Sequence, residues 1–186
     1  MDLKLNKTEV LQNLFGKHLY KRKWTNNIFE LSLSNMDLND EHFIEMDEDG
    51  FNFFRSMPML KELNISSNNL TLHSAHWIAK GILQNENMFL HKLNLYGNQL
   101  SNKGIKLIVH SLANCKNLKH LNIGGNDIDD GGVADINMLI DPSSKSYIKL
   151  KALLIHDNRL TSVGCSKILS CLKKKLTSKK NKTNSK

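Results

Sequence analysis

The amino-acid sequence predicts an α/β solenoid (horseshoe) of five stacked units, in which a parallel sheet lines one side and a layer of helices the other. Three observations lead there. The pattern L-x-x-L-x-L-x-x-N-x-L, with Ile allowed for Leu, occurs in full over residues 60–70, 90–100, 118–128 and 150–160. A weaker copy precedes these, with Ile28, Leu31, Leu33 and Leu38 in place but Met36 where the others carry Asn. The copies start at residues 28, 60, 90, 118 and 150, so the period drifts between 28 and 32 residues, enough for a strand and a full helix. One such unit cannot bury its apolar face alone, whereas a stack buries a continuous core.

Taken along the chain, residues 1–27 open with a helical pattern in which Val10, Leu11, Leu14 and Phe15 are apolar, followed by Lys21, Arg22, Lys23 and Trp24. A stack exposes an apolar end and an unpaired strand, so this segment is expected to be an N-terminal helical cap. Residues 28–172 hold the five repeats. After each strand pattern a second one follows, clearest where Ile105, Ile108, Val109 and Leu112 fall at i, i+3, i+4 and i+7, one face of a helix. The same offsets give Ala75, Ile78, Ala79 and Ile82 in the second copy, and Cys165, Ile168, Leu169 and Leu172 in the fifth. The fourth keeps Val133, Ile136 and Ile140. Gly104, Gly132 and Gly164 share one position just ahead of these helices, which suggests a backbone requirement. An amphipathic helix over about residues 162–176 is expected to close the far end of the stack. Residues 173–186 are polar, lysine-rich and without a periodic face, and are expected to form a basic disordered tail.

Composition narrows the function. The chain has 186 residues, 40% of them hydrophobic, enough for one sizeable core. No stretch approaches the roughly 20 consecutive apolar residues of a membrane helix, and no apolar signal region stands at the N-terminus. A soluble, intracellular, cytoplasmic protein is expected. Cys115, Cys165 and Cys171 make no even-numbered framework, and Cys165 falls on a predicted core face, so reduced thiols are expected. The net charge of +8 is unevenly placed: residues from 173 onward contribute +7 and residues 1–27 contribute +4, which leaves the repeats at −3. A nucleic-acid groove would line its binding face with Lys and Arg, and this repeat body does not. Nucleic acid or anionic membrane is therefore a partner only through the basic tail.

Motifs that would carry chemistry do not assemble. The run Glu45-Met-Asp47-Glu48-Asp49-Gly50 has part of a calcium-loop spacing but begins with Glu45 and ends at Ser56, where a bidentate Glu is needed. It reads as a solvated acidic turn. The stretch from Asp127 through Asp129 and Asp130 to Gly132 reads as a polar turn entering a helix, where acidic side chains suit the N-terminus. His73 and His76 could share a helix face, yet no Cys or carboxylate cluster accompanies them at metal spacing. No phosphate-cradling glycine loop and no nucleophile motif is present. No catalytic residue, metal ligand, cofactor or small-molecule substrate is expected.

With these residues in place, the repeats resemble leucine-rich repeats, and the long period with a helical second half resembles the ribonuclease-inhibitor class. The resemblance covers about residues 28–172. It implies that the strands line a concave face, that the helices lie outside, and that Asn68, Asn98, Asn126 and Asn158 bond neighbouring backbone turns. Met36 breaks that ladder at the first turn. Side chains alternate across a strand, so the residues between the inward apolar positions face the concavity. These are Glu30, Ser32 and Ser34, then Glu62, Asn64 and Ser66, then Lys92, Asn94 and Tyr96, then His120, Asn122 and Gly124, then Ala152, Leu154 and His156. Acidic and polar rows give way to Lys, His and an aromatic, a graded face suited to protein recognition. Tyr96 is the candidate anchor, with Leu154 second, and Glu62, Lys92 and His120 are expected to form a row. Partner-binding residues are therefore Glu30, Glu62, Asn64, Lys92, Asn94, Tyr96, His120, Asn122, Leu154 and His156.

The expected function is that of a non-enzymatic protein-interaction module, monomeric, docking a folded protein on the concave sheet. Similar repeats occur in inhibitors, small-GTPase activators, innate-immune receptors and effectors that intracellular bacteria deliver into host cells. The Asn- and Lys-rich, short form is most similar to the effectors. The alternatives are binding of anionic membrane or RNA by the Lys-rich tail, and a contact-type activator of a small GTPase.

Overall fold

A computed structural model describes the backbone of residues 29–48, 57–84 and 89–183, with side chains over 29–44, 57–84 and 89–174. The cap expected over residues 1–27 lies outside the described residues. Five three-residue strands, β1 (Glu30–Ser32), β2 (Glu62–Asn64), β3 (Lys92–Asn94), β4 (His120–Asn122) and β5 (Ala152–Leu154), form one parallel sheet in sequence order. Each strand is followed by a helix: α1 (Asp40–Glu48), α2 (Leu72–Gln84), α3 (Ser101–Leu112), α4 (Val133–Ile140) and α5 (Ser162–Thr183). The architecture is the expected leucine-rich-repeat solenoid. No described helix is long and apolar enough to cross a membrane.

The repeat pattern fixes the register. Leu31, Leu63, Leu93, Leu121 and Leu153 align strand to strand, so the inward side chains stack in rows and the intervening residues stack on the other face. Helix residues Ala75, Ile78, Ile82, Ile105, Ile108, Val109, Leu112, Val133, Ile136 and Ile140 complete one core with the strand leucines. Between α1 and α2, Phe43 and Trp77 meet edge to face with ring centroids 4.9 Å apart. Helix α4 is short because Pro142 follows it: the residue before a proline is driven from the helical region, and Asp141 is extended (φ −78°, ψ 116°).

The asparagine ladder is present and runs backwards, each Asn bonding the turn of the preceding repeat. Asn68 Oδ1 accepts from the Met36 and Leu38 N–H groups, both at 3.0 Å, while its Nδ2 donates to the Leu33 and Ile65 carbonyls. Asn98 serves Leu70 N–H and the Ile65 and Leu95 carbonyls; Asn158 serves Asn126 and Ile128 N–H and the Ile123 carbonyl. Met36 therefore does not break the ladder. Its own backbone is held by Asn68, and its side chain is buried.

A second ladder, on the helix side, escaped the sequence reading. Asp40 Oδ1 accepts from the Thr71 and Ser74 N–H groups at the start of α2, at 3.0 and 3.2 Å. Asn102 Oδ1 accepts from Asp129 N–H at 3.1 Å, and Asp130 Oδ1 from Thr161 N–H at 2.9 Å. The first, third and fourth repeats thus each bond the helix approach of the next, whereas the second, with Leu72 at this position, leaves the start of α3 without a side-chain cap. This also explains the shared glycines, which have no positive φ. A Cβ on Gly164 would lie 2.1 Å from Asp130 Oδ1, one on Gly132 2.8 Å from Asn102 Oδ1, and one on Gly104 3.1 Å from the Ala75 Cβ. The requirement is room for the previous repeat rather than backbone conformation.

Other expectations need correction. The acidic run is not a turn at its start, because residues 45–48 are the last residues of α1. Helix α5 continues to Thr183, so the segment expected to be structureless after residue 172 is helical backbone over most of its length. Nor does α5 close the stack. Ile168 is buried, but Leu169 is 57% exposed and Cys165 is exposed, because nothing among the described residues packs beyond the fifth repeat. Cys115 is buried, which pushes its thiol up to about 12, and none of the three cysteines is in a disulfide.

Candidate partner-binding face

Three parallel rows cross the concave sheet. The first holds Glu30, Glu62, Lys92, His120 and Ala152 in register, and the second Ser32, Asn64, Asn94, Asn122 and Leu154. The third, one step beyond, holds Ser34, Ser66, Tyr96, Gly124 and His156. In the first row Glu62 and Lys92 pair at 2.6 Å, and the bond and charge of Glu62 raise the Lys92 pKa. Glu30 and His120 are exposed on either side of that pair.

The asparagines of the second row are only partly available to a partner. Asn64 Oδ1 accepts from Ser66 N–H, Asn94 Oδ1 from Tyr96 N–H and Asn122 Oδ1 from Gly124 N–H, each at 3.1 Å. A short polar side chain bonding the backbone two residues on is a local turn device, and here it holds the chain as it leaves the strand. Asn64 is further committed to the Ser66 hydroxyl, which meets Ser34 at 2.9 Å. Asn64, Ser66 and Ser34 are therefore bonded to one another, while Glu30 and Ser32 of β1 stay exposed. Leu154, by contrast, is 47% exposed at the end of its row.

The third row builds the distinctive feature. Tyr96, two residues past β3, donates its phenol proton to Asp157 Oδ2 at 3.0 Å, beyond β5, and its ring lies 5.3 Å from that of His156. It reaches across β4 because Gly124 has no side chain: a Cβ there would stand 3.0 Å from the Tyr96 ring and 2.9 Å from the His156 carbonyl. Asp157 also bonds His156 Nδ1 at 2.9 Å. These two bonds, from His156 and then Tyr96, lower the Asp157 pKa, and the Asp157 bond raises that of Tyr96. The outcome is a fixed aromatic pair on a carboxylate, with Leu154 two residues before His156.

Of the residues expected to meet a partner, Tyr96, His156 and Leu154 are brought to one end of the sheet, Glu62 and Lys92 neutralise each other, and Glu30 stands apart on β1. Asp157 was missed, since it follows the strand pattern and pairs 61 residues away. Gly124, flanked in its row by Tyr96 and His156, was the available signal. His73 and His76 are exposed on α2, and no group of three or more His, Cys, Asp or Glu side chains among the described residues is placed to hold a metal.

A sequence profile described as Leucine Rich repeat matches residues 56–72, 86–109 and 114–136. No curated protein matches the sequence. Among solved structures the chain is similar to leiomodin-1 actin-binding site 2, at 18% identity and a TM-score of 0.61 over 97% of this chain and 95% of that one. It is also similar to the tropomodulin C-terminal domain of Caenorhabditis elegans, at 11% identity and a TM-score of 0.62 over 98% and 100%. At these identities the likeness is one of fold. Three segments of the chain match leucine-rich repeats, and its fold is similar to those of leiomodin-1 actin-binding site 2 and the tropomodulin C-terminal domain.

Proposed function

We propose that the protein is a non-catalytic interaction module whose concave sheet docks a folded protein partner. The observation that carries this reading is the Tyr96, His156 and Asp157 cluster beside exposed Leu154. An aromatic held in place before binding loses little freedom when a partner arrives, and such side chains dominate interface energetics. The bonded Ser34, Asn64 and Ser66 supply a polar border on the β2 side of that anchor. The leiomodin-1 domain is named as an actin-binding site, which makes actin the first defined partner to test against this face.

The experiment uses three baits in eukaryotic cell lysate and in co-sedimentation with purified actin: the intact chain, the chain lacking residues 173–186, and a Tyr96→Ala, His120→Ala double variant. Partners kept without the terminal lysines but lost with the double variant support the concave face. Partners lost only on removing residues 173–186 move the function to those lysines. For a captured partner, Tyr96→Ala should weaken binding by at least about fivefold with the melting curve preserved. Tyr96→Phe, which keeps the ring but loses the Asp157 bond, should fall between the two. Unchanged affinity in Tyr96→Ala would remove Tyr96 as the anchor.

A further inference from the structure

Among the described residues, the fifth repeat differs from the four before it at its outer edge. In each earlier repeat two N–H groups just past the strand donate to the following repeat: Leu33, Ile65, Leu95 and Ile123 to the carbonyls of Asn64, Asn94, Asn122 and Leu154, at 2.7–3.0 Å. Asn35, Ser67, Gly97 and Gly125 do the same to Ser66, Tyr96, Gly124 and His156. The carbonyls of Phe29, Lys61, His91 and Lys119, ahead of each strand, accept from the following repeat in return. The equivalent groups of the fifth repeat, Ile155 N–H, Asp157 N–H and the Lys151 carbonyl, have no such partner among the described residues.

Beside that edge lies a groove of about 480 Å³ lined by Leu150, Leu153, Ile155, Ile168, Leu169 and Leu172. Leu63, Leu93 and Leu121 at the position of Leu153 are each 1% exposed, whereas Leu153 is only partly buried. The groove and the orphan backbone groups together present the template of one more strand with inward apolar side chains.

Charge selects the occupant. Residues 149–174 carry six Lys and Arg side chains and a single acid, Asp157; of the six, Arg159 faces Asp127 at 3.7 Å, and Lys167 and Lys174 lie near Asp130 and Asp141 of the preceding repeat. Lys149 and Lys151 are exposed at the entry of β5, and Lys151 borders the groove. A second copy brings the same exposed lysines and no acidic strand, and residues 1–27 of the same chain carry +4. An acidic strand is complementary to both lysines.

We propose that the free edge of β5 is a second binding site, distinct from the concave face. It receives an extended segment of a partner protein as a sixth parallel strand, apolar at alternate positions and acidic at its N-terminal end. The parallel direction follows from the spacing of the orphan groups, which repeats that of the four strand junctions before them, and it sets the acidic end beside Lys149 and Lys151.

The test is fluorescence polarisation of the full chain with a labelled synthetic peptide, acetyl-Glu-Glu-Leu-Thr-Leu-Thr-Ile-Thr-Asn-amide, against a scrambled peptide and one with Lys at the first two positions. Sedimentation of the unliganded chain accompanies it. The expected result is saturable binding at least about tenfold tighter than either control, weakened at 0.5 M salt by Debye screening. Lys151→Glu should weaken it several-fold, and Leu169→Glu should abolish it. Leu169 is largely solvent-exposed, so its variant should keep the far-UV circular dichroism and melting point of the parent, which separates lost binding from lost fold. Binding no tighter than the scrambled peptide, or unmoved by Leu169→Glu, would overturn the proposal. So would a concentration-dependent dimer dissociated by Leu169→Glu, which would assign the groove to a second copy.

Discussion

Five residues at one repeat position, Asn35, Ser67, Gly97, Gly125 and Asp157, have left-handed backbone, with φ between 54° and 65°. Each sits one residue ahead of Met36 or a ladder asparagine, where the chain must turn sharply out of the strand. Side chains at such φ cost roughly 1 to 2 kcal/mol, so the two glycines relieve a strain that the other three carry. The two are not equivalent. A Cβ on Gly97 would find its nearest atoms at 3.6 Å, but one on Gly125 would press on the Gly97 N at 3.2 Å. Gly97→Ala should therefore cost about 1 kcal/mol and Gly125→Ala more, measured by urea unfolding. Equal costs would mean that conformation alone matters there. Asn98 makes the companion case. Its removal leaves Leu70 N–H without its acceptor in a buried turn, although the Ile65 and Leu95 carbonyls still accept from Asn68 and Asn126, so Asn98→Ala should cost about 1 to 3 kcal/mol. An unchanged melting curve would deny the ladder an energetic role.

At the scale of elements, the starts of α2 and α5 are stabilised from outside their own repeat. Burial raises the Asp40 carboxyl pKa, but bonds from Ser74 and Thr71 outweigh this and hold it below its usual value. An unfolded carboxyl titrates near about 4, so the stabilisation is complete above that pH and is lost as pH falls through the lower folded value. Asp40→Ala should cost about 1 kcal/mol at pH 7, and the gap to the parent should narrow below about pH 4. A gap independent of pH would mean that the side chain acts by packing. The helices α2, α3 and α4 were legible because Ile78, Ile108 and Ile136 recur at helical spacing with their neighbours, a pattern that burial requires. The cap of α2 was not, because Asp40 and Thr71 are 31 residues apart and only the stack brings them together. The same holds for Tyr96 and Asp157: sequence alternation placed Tyr96 on the concave face, but only the missing side chain at Gly124 lets it reach across a strand.

For the whole molecule, stacking means that each repeat is stabilised by its neighbours, so identical residues differ in worth according to where they sit. The sequence treats the repeat starting at 150 like those at 90 and 118, since its apolar positions are all filled. Burial at those positions depends on a following repeat that the pattern cannot report, and this is why Cys165 and Leu169 were expected inside and are found outside. Leu93 and Leu153 make the contrast measurable. Leu93 is 1% exposed, with Leu63 and Leu121 as its register partners; Leu153 has Leu121 on one side and the open groove on the other. Leu93→Ala removes a side chain packed on every side and should cost about 2 to 5 kcal/mol. Leu153→Ala leaves a hollow already open to water and should cost no more than about half as much. Amide exchange supplies the matching readout: the ladder N–H groups of Ile65 and Leu95 should open only with the central stack, whereas Ile155 and Asp157 N–H exchange rapidly at the free edge. Equal costs and equal protection at the two sites would show that the last repeat is covered in solution.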